Sequence, residues 1–333
     1  SPEISLAATT GYYESLADTM INGISAGYTG PPIAADNHFK RREFTQELRL
    51  SSDFTDLPVN FSLGAYYQDG KMSNDFTLLS NAALNPGILL APIPGAVIKG
   101  ISTINIESFS AFGQLRWQLA EQLELAGGVR WQHEKRGLDS FNDITRTPIV
   151  LAPGTNRISS KNWSPEFTIT YTPTDTFTIF GAIKQAYKSG SFDIVIPTPP
   201  PLDKSFGDEK VQGGEVGIKS RWFDRALSID LAGYYYIYKG LQTGVNEPNQ
   251  NGLPVLRTFN AGKARIYGID FEAKDRPPAV ESLNLNVALN WNKSRFQKLN
   301  NVPCWGGQRE QDGCNQIFVP VTQLPAAQQA IYP

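Results

Sequence analysis

The feature that most constrains the fold is the stretch of residues 163–190, which alternates apolar and polar side chains with a period of two. Apolar residues occupy every second position in 167–171 and again in 177–183, and Pro173-Thr174-Asp175 lies between the two runs. Successive side chains of a strand point to opposite faces, and proline and aspartate favour turns, so the pattern predicts a β-hairpin with one apolar face. A soluble half-buried hairpin and a hairpin of a membrane barrel share this pattern. Repetition and the lengths of the connections must distinguish them.

The composition excludes several classes of protein. The chain has 333 residues, a formal net charge of −2 and 19% charged residues, so it has no basic footprint for nucleic acid. No run of about 20 apolar residues is present, which excludes a transmembrane helix but not membrane-spanning strands, because those hide lipid-facing residues at alternate positions. Aromatic residues make up 11%, which suits the interfacial belts of a membrane barrel.

The alternation recurs along the chain and predicts about eleven strands. Short connections follow Ser52, Ala120, Tyr171, Trp222 and Lys274. Longer connections, near 16–41, 72–105, 139–161, 191–209, 243–261 and 297–333, separate them. Short turns at one end and long loops at the other are typical of outer-membrane barrels. We therefore predict an all-β fold, a transmembrane antiparallel up-and-down β-barrel whose long loops are extracellular. Within the second long connection, residues 85–95 are rich in proline and glycine and fit an apolar loop better than a ligand lid.

Aromatic residues on the apolar parity are expected to form two belts. Trp117, Tyr171 and Trp222 lie beside short turns, whereas Trp131 and Trp291 lie at the opposite strand ends. Eight residues of tilted strand separate the two levels, which corresponds to about 20 Å of depth and matches the apolar band of such barrels. The polar parity carries charged residues, as expected for a wet lumen.

Five ordered motifs resemble the barrel domain of TonB-dependent receptors. They are F-T-Q-E-L-R-L-S-S at 44–52, A-F-G-Q-L-R-W-Q-L at 111–119 with G-G-V-R-W-Q-H-E at 127–134, Y-K-S-G-S-F at 187–192, E-V-G-I-K-S-R-W-F-D at 215–224 and N-A-G-K-A-R-I-Y-G-I-D-F-E at 260–272. A small departure is Asp208-Glu209, because the family often has Pro-Glu before the E-x-G-x-K strand.

The resemblance implies a 22-stranded outer-membrane barrel of a Gram-negative bacterium, plugged by an N-terminal domain. Such receptors import scarce, bulky nutrients, most often ferric siderophores, with energy relayed by the TonB complex. Residues 1–333 are expected to be part of such a barrel, without the plug that contacts TonB and without the closing strands. The expected partners are TonB through that plug, a small ligand such as a ferric siderophore, and outer-membrane lipid. A passive porin and an outer-membrane enzyme are the alternatives.

No catalytic set is apparent, so we expect no enzyme activity, metal site or cofactor. His133-Glu134 begins like the zinc motif H-E-x-x-H, but Gly137 occupies the position of the second histidine. No G-x-S-x-G nucleophile elbow is present.

Four residues on the polar parity are candidate ligand contacts. Tyr234, Tyr236 and Tyr238 lie near the long-loop end of one strand, where they would stack on a ligand or pack against the plug or the barrel wall. Arg130 would contact an anion or take part in a ladder of ion pairs along the lumen.

The two cysteines lie close together in the last long connection. Cys304 and Cys314 are predicted to form a disulfide, because this loop is expected to face the oxidising exterior. Two free thiols are the alternative.

Overall fold

The computed structural model describes residues 3–22, 33–80, 95–143, 147–149, 154–194, 203–248, 254–278, 280 and 282–299. Every regular element in these ranges is a β-strand. In chain order the strands are β1 Ile4–Asn22, β2 Ile33–Ser52, β3 Val59–Ser80, β4 Ala96–Ala120, β5 Leu123–Asn142, β6 Thr147–Pro148, β7 Arg157–Thr174, β8 Phe177–Lys188, β9 Ser191–Phe192, β10 Ser205–Phe206, β11 Glu209–Trp222, β12 Leu227–Lys239, β13 Gln242–Pro248, β14 Pro254–Asn260, β15 Gly262–Asp275 and β16 Leu285–Leu299. Among the described residues there is no helix of sufficient length and apolar character to cross a membrane.

Eleven of these strands form one antiparallel meander in the order β1-β2-β3-β4-β5-β7-β8-β11-β12-β15-β16. Each long strand pairs with the next long strand along the chain, and the short strand β6 pairs with the end of β5. The pairs β9–β10 and β13–β14 are small separate sheets within two of the long connections. The predicted all-β, antiparallel up-and-down architecture of about eleven strands is therefore confirmed.

The distribution of exposed side chains along the strands is the reverse of that in a soluble protein. In β4, Ser108 and Ser110 are 2% and 0% exposed, whereas their neighbour Phe109 is 45% exposed. Leu115 farther along the same strand is 50% exposed. Serine is ordinarily a surface residue and large apolar residues are ordinarily buried. The apolar face of this sheet therefore has no protein core to cover it and suits contact with lipid.

Short and long connections alternate as predicted. The short ones span 53–58, 121–122, 175–176, 223–226 and 276–284, and all of them lie at the same end of the sheet. The β11–β12 turn is unusual, because Phe223, Asp224 and Arg225 have positive φ angles of 53°, 53° and 69°. Such left-handed conformations cost energy in residues other than glycine.

The predicted bounds of the long connections were too wide. Strand β1 continues to Asn22 and β2 already begins at Ile33, so most of 16–41 is strand. Likewise β3 reaches Ser80 and β4 begins at Ala96, and the segments 139–142 and 157–161 belong to β5 and β7. At these outer strand ends both faces carry polar residues, as in D-N-H-F-K-R-R-E at 36–43. The period-two signal is lost there although the pairing continues.

Two other predicted long connections contain short strands that the sequence pattern did not predict. The connections near 191–209 and 243–261 contain strands β9, β10, β13 and β14. Most of 85–95, and 300–333, lie outside the described residues.

Candidate functional site

The polar face of the sheet is the face that carries Arg49, Phe112, Arg130, Lys184 and Glu215. Its side chains point away from the apolar face, which carries Leu115 and the tryptophans of the described strands. The ladders of ion pairs predicted for this face are present. Arg49 pairs with Glu47 at 2.7 Å, Arg136 with Glu134 at 2.6 Å and Arg221 with Asp230 at 3.1 Å.

Arg130 lies in a row of residues that crosses four neighbouring strands. The register places Arg49 opposite Gly64, Gly64 opposite Phe112, and Phe112 opposite Arg130. Both guanidinium groups lie 5.7 Å from the centroid of the Phe112 ring, and that of Arg130 is also 5.4 Å from the Tyr66 ring. Cations are attracted to aromatic faces at such distances. We call the polar face of the sheet the wall. Its aromatic rings therefore hold Arg130 in place, and Arg130 forms no ion pair with any described residue.

Tyr234 and Tyr236 lie flat against the wall. A Cβ atom on Gly213 would stand 2.6 Å from Cδ1 of Tyr236, and one on Gly268 would stand 2.8 Å from Cζ of Tyr234. The hydroxyl of Tyr236 donates to Glu215 at 3.3 Å, and the hydroxyl of Tyr234 accepts from the Asn290 amide at 3.4 Å. The geometry supports wall packing for both rings, which are half-buried.

The predicted ligand contacts form two groups rather than one. Arg130 is on β5 and the three tyrosines, including the half-buried Tyr238, are on β12. Strands β7, β8 and β11 lie between them, which separates the groups by about 19 Å at the usual strand spacing. Between them, Lys184 on β8 donates to Glu215 on β11 at 2.6 Å, and Glu166 on β7 accepts from Gln114 of the more distant strand β4 at 3.0 Å.

An aromatic ring that covers a glycine of the next strand recurs across the polar face. Phe180 covers Gly217, where a Cβ atom would stand 2.7 Å from the ring, and Lys219 lies 5.7 Å from the centroid of the same ring. Glycine in a strand often marks such a close approach. This packing of a ring over a glycine was not predicted from the sequence, because the two partners are identified only once the strand register is known.

At its outer end the polar face becomes apolar and is covered by a connection. Phe192, at 4% exposed, packs with Ile104, Ile106 and Leu138. The amide of Asn74 donates to the carbonyl of Ile194 at 3.1 Å. The segment that follows β8 therefore folds back over strands β3 to β5.

Asp208 anchors the same connection to strand β7. Its carboxylate accepts hydrogen bonds from Ser160 Oγ at 2.5 Å, from Asn162 Nδ2 at 2.8 Å and from the backbone N–H of Gly190 at 2.8 Å. The departure from the family motif at Asp208-Glu209 thus has a structural role, because proline offers no side-chain acceptor in its place.

The β8–β11 and β12–β15 connections are joined to each other. The side-chain amide of Asn260 donates to the carbonyls of Gly207 at 2.9 Å and Gly240 at 2.7 Å, and its oxygen accepts from Gly207 N at 2.7 Å. The backbone N–H of Thr258 donates to Asp193 at 2.7 Å. We call these two joined connections the outer cover. Lys204 is buried within it, and burial lowers its pKa to about 8.

The predicted belt residues all lie on the apolar face at two levels. Trp117, Tyr171 and Trp222 are 43%, 42% and 52% exposed beside the short turns. At the opposite level Trp131 packs between Phe109 and Trp163, and Trp291 packs on Tyr267 with ring centroids 6.1 Å apart. Trp163 and the stacked pair Tyr235–Tyr267 belong to this outer level as well, although the sequence pattern did not identify them. Cys304 and Cys314 lie outside the described residues.

Comparison with known proteins places the chain in a family. The family described as TonB dependent receptor-like, beta-barrel, matches residues 3–309. The pesticin receptor of Yersinia enterocolitica is 26% identical over 263 residues, which cover 78% of this chain and 36% of that protein. The pesticin receptor of Yersinia pestis matches to the same extent. The chain thus spans about a third of the length of these curated relatives.

Two solved structures share the fold. The ferric yersiniabactin uptake receptor FyuA from Yersinia pestis superposes with a TM-score of 0.71 at 19% identity, over 89% of this chain and 41% of that chain. The siderophore receptor PiuA from Acinetobacter baumannii gives a TM-score of 0.69 at 15% identity, over 92% of this chain and 46% of that chain.

Proposed function

The chain belongs to the TonB-dependent receptor family, and from that membership we propose that it forms the ligand-facing wall of an outer-membrane import receptor of a Gram-negative bacterium. The ligand is a bulky, scarce nutrient, a ferric siderophore. The TonB complex supplies the energy by acting on a plug domain within the same barrel. The role is binding and transport rather than catalysis.

The observation that carries this proposal is the arrangement of the polar face beneath the outer cover. The cover ties two long connections together through Asn260 and holds one of them against the wall through Asp208. Below it, the wall presents half-buried aromatic rings and the cations Arg49 and Arg130. Ferric siderophores are large, often anionic and often aromatic, so cations and ring faces suit their recognition.

The relatives support the ligand class. The curated relatives are pesticin receptors, and the proteins of known structure with the same fold are a ferric yersiniabactin uptake receptor and a siderophore receptor. Those names describe those proteins. For this chain they support a siderophore as the first ligand to be tested, with Arg130, Tyr234, Tyr236 and Tyr238 as wall contacts.

Uptake measurements in the parent bacterium test this function. We expect deletion of the full-length receptor gene to abolish growth on one or a few ferric siderophores under iron limitation, with growth on free iron salts unchanged. Loss of TonB should abolish the same growth. Uptake that persists without TonB would instead indicate a passive porin, and accumulation of a chemically altered ligand outside the cell would indicate an enzyme.

A further inference from the structure

A cluster of cations lies on the outward face of three neighbouring strands, just beyond the outer aromatic belt. The register places Ile237 opposite Arg265, Arg265 opposite Arg295 and Tyr267 opposite Lys293. Farther out, Lys239 lies opposite Lys263, and Lys263 lies opposite Lys298. These side chains share the face of Tyr235, Tyr267 and Trp291, which is the apolar face and not the polar one. We call this set, Lys239, Lys263, Arg265, Lys293, Arg295 and Lys298, the basic patch.

The charge of the basic patch is not balanced by the described part of the chain. From the level of Tyr267 outward, the outward positions of β12, β15 and β16 carry no acidic residue. None of the six cations forms an ion pair with a described residue. Like charges directly opposite each other destabilise a sheet, and both Arg265–Arg295 and Lys239–Lys263–Lys298 are arranged in this way. Nε of Arg265 is moreover shielded from solvent and has no hydrogen-bond partner among the described residues.

The opposite sector of the same sheet provides a contrast at a similar height. There, Glu14 lies opposite Arg42 and also pairs with Lys40 at 2.7 Å. Glu107 lies opposite both Asp69 and Lys135, so acids and bases are mixed. The unbalanced charge is therefore a local property of β12, β15 and β16 and does not hold for the whole outer rim.

An apolar groove adjoins the basic patch on its inner side. Its volume is about 760 Å³, and its floor is formed by Gly181, Gly214 and Gly233 of three adjacent strands. Tyr235 and Tyr267 line the groove, and the guanidinium of Arg265 lies 5.7 Å from the centroid of the Tyr267 ring. The patch and the groove thus meet at the stacked tyrosines.

We propose that this surface binds one phosphorylated glycolipid of the outer leaflet, of the lipid A type. Its phosphates contact the basic patch and one acyl chain lies in the glycine-floored groove. The cations form an inner tier of Arg265, Lys293 and Arg295 and an outer tier of Lys239, Lys263 and Lys298. Together they spread over three strands about 10 Å wide, which is more than a single phosphate needs and suits a headgroup with two. The site rests on the proposed outer-membrane placement, but it is separate from the ligand and transport path on the polar face.

The test measures lipid binding by the purified full-length receptor in a neutral detergent. The triple variant Arg265→Gln, Lys293→Gln and Arg295→Gln removes the inner tier of charge and keeps the side chains long. The matched control, Lys40→Gln, Lys71→Gln and Lys135→Gln, removes three outward cations from the mixed sector. We expect the first variant to bind diphosphorylated lipid A at least tenfold more weakly than wild type, and the control to bind within twofold of wild type.

Binding measurements with other ligands identify the chemical groups that the site recognises. Wild-type receptor should bind dephosphorylated lipid A at least tenfold more weakly, and inorganic phosphate at millimolar concentration should not compete. Equal binding by wild type and the inner-tier variant, or equal binding of lipid A with and without phosphates, would overturn the site. Vesicles of phosphatidylglycerol that compete as well as lipid A does would overturn the assignment to a glycolipid.

Two measurements keep the test independent of folding and of transport. Heat-modifiability on gels reports whether each variant is folded. If the inner-tier variant does not fold, the salt dependence of lipid A binding by wild type replaces it, because ionic strength screens exposed charges. Binding unchanged between 50 mM and 500 mM salt would then overturn the proposal. Siderophore uptake is measured in parallel, so that a failure of the proposed import function is distinguished from a failure of this site.

Discussion

The ring of Phe112 covers Gly64 so closely that a Cβ atom on Gly64 would stand 2.3 Å from Cζ of Phe112. The same ring is flanked by Arg49 and Arg130, each 5.7 Å from its centroid. A glycine on β3 therefore determines where two cations of the polar face are placed, because it lets the ring lie flat between them.

This relationship makes Gly64 a sensitive position. We expect Gly64→Ala to destabilise the folded receptor by about 1–3 kcal/mol, because the added methyl group also meets the Leu48 carbonyl at 2.8 Å and both neighbours must shift. The matched control is Gly137→Ala, where an added Cβ has no atom within 4 Å. Chemical denaturation of the two variants in detergent measures the difference, and equal stabilities would contradict the close packing of Phe112.

The two faces of the sheet should respond oppositely to added charge. Leu125→Lys and Ile229→Lys place an ammonium group on the apolar face, where a lysine is destabilising by an amount that reaches about 2–4 kcal/mol at the bilayer midplane and is smaller towards the belts. Glu124→Lys and Ser228→Lys place it one residue away on the polar face, where the cost is small. Heat-modifiability of the membrane-extracted receptor should fall for the first pair only. Similar losses for both pairs would argue against a lipid-facing apolar surface.

Asp208 should control the order of the outer cover. Asp208→Ala leaves the buried donors of Ser160 and Gly190 and the half-buried amide of Asn162 without their acceptor, which costs about 1–3 kcal/mol for each buried donor left unsatisfied. We expect faster proteolysis between residues 189 and 208 and weaker ligand binding. Asp175→Ala, in the short β7–β8 turn at the opposite end, is the control and should leave both unchanged. Unaltered proteolysis of the first variant would show that Asp208 does not hold the cover.

Lys204 should make closure of the outer cover depend on pH. Burial lowers the pKa of Lys204 to about 8, whereas a solvated lysine titrates near 10.4. Between these values the open state binds more protons than the closed state, so closure becomes more favourable as pH rises from about 8 to 10. Proteolysis of the cover, normalised to the Lys204→Met variant at each pH, should therefore slow over this interval. A ratio that stays constant with pH would contradict burial of Lys204.

Cys304 and Cys314 should be joined in a disulfide. Closing a loop of about ten residues stabilises by about 3 kcal/mol in the chain-entropy model. Mass spectrometry of the alkylated, non-reduced receptor should show neither cysteine modified. Two alkylated cysteines would exclude the bridge.

The sequence was sufficient for the architecture because period-two alternation reports directly which face of a strand is apolar. It also located the short turns and placed Trp117 and Trp222 on the apolar face beside them. It failed at the outer ends of β1 and β2, where both faces carry polar residues and alternation carries no signal. It did not identify the contact between Phe192 and Ile104, because these residues are far apart in sequence and meet only when the connection folds over the sheet.

The candidate site was predictable in part. The parity of Arg130 and the tyrosines followed from alternation, but their separation into two groups depends on the three strands between β5 and β12. The flat packing of Tyr234 and Tyr236 depends on glycines of neighbouring strands, which only the register reveals.

The central claim is that the apolar face contacts lipid while the polar face lines a wet lumen, and cysteine accessibility tests it most directly. Single cysteines at Leu115 and Gln114, adjacent on β4, are introduced into the full-length receptor after Cys304 and Cys314 are replaced by serine. The same is done at Leu289 and Asn290 on β16. In isolated outer membranes, a charged, membrane-impermeant thiol reagent should label positions 114 and 290, and a lipid-soluble reagent should label positions 115 and 289. Labelling of positions 115 and 289 by the charged reagent at the rates of positions 114 and 290 would contradict the account.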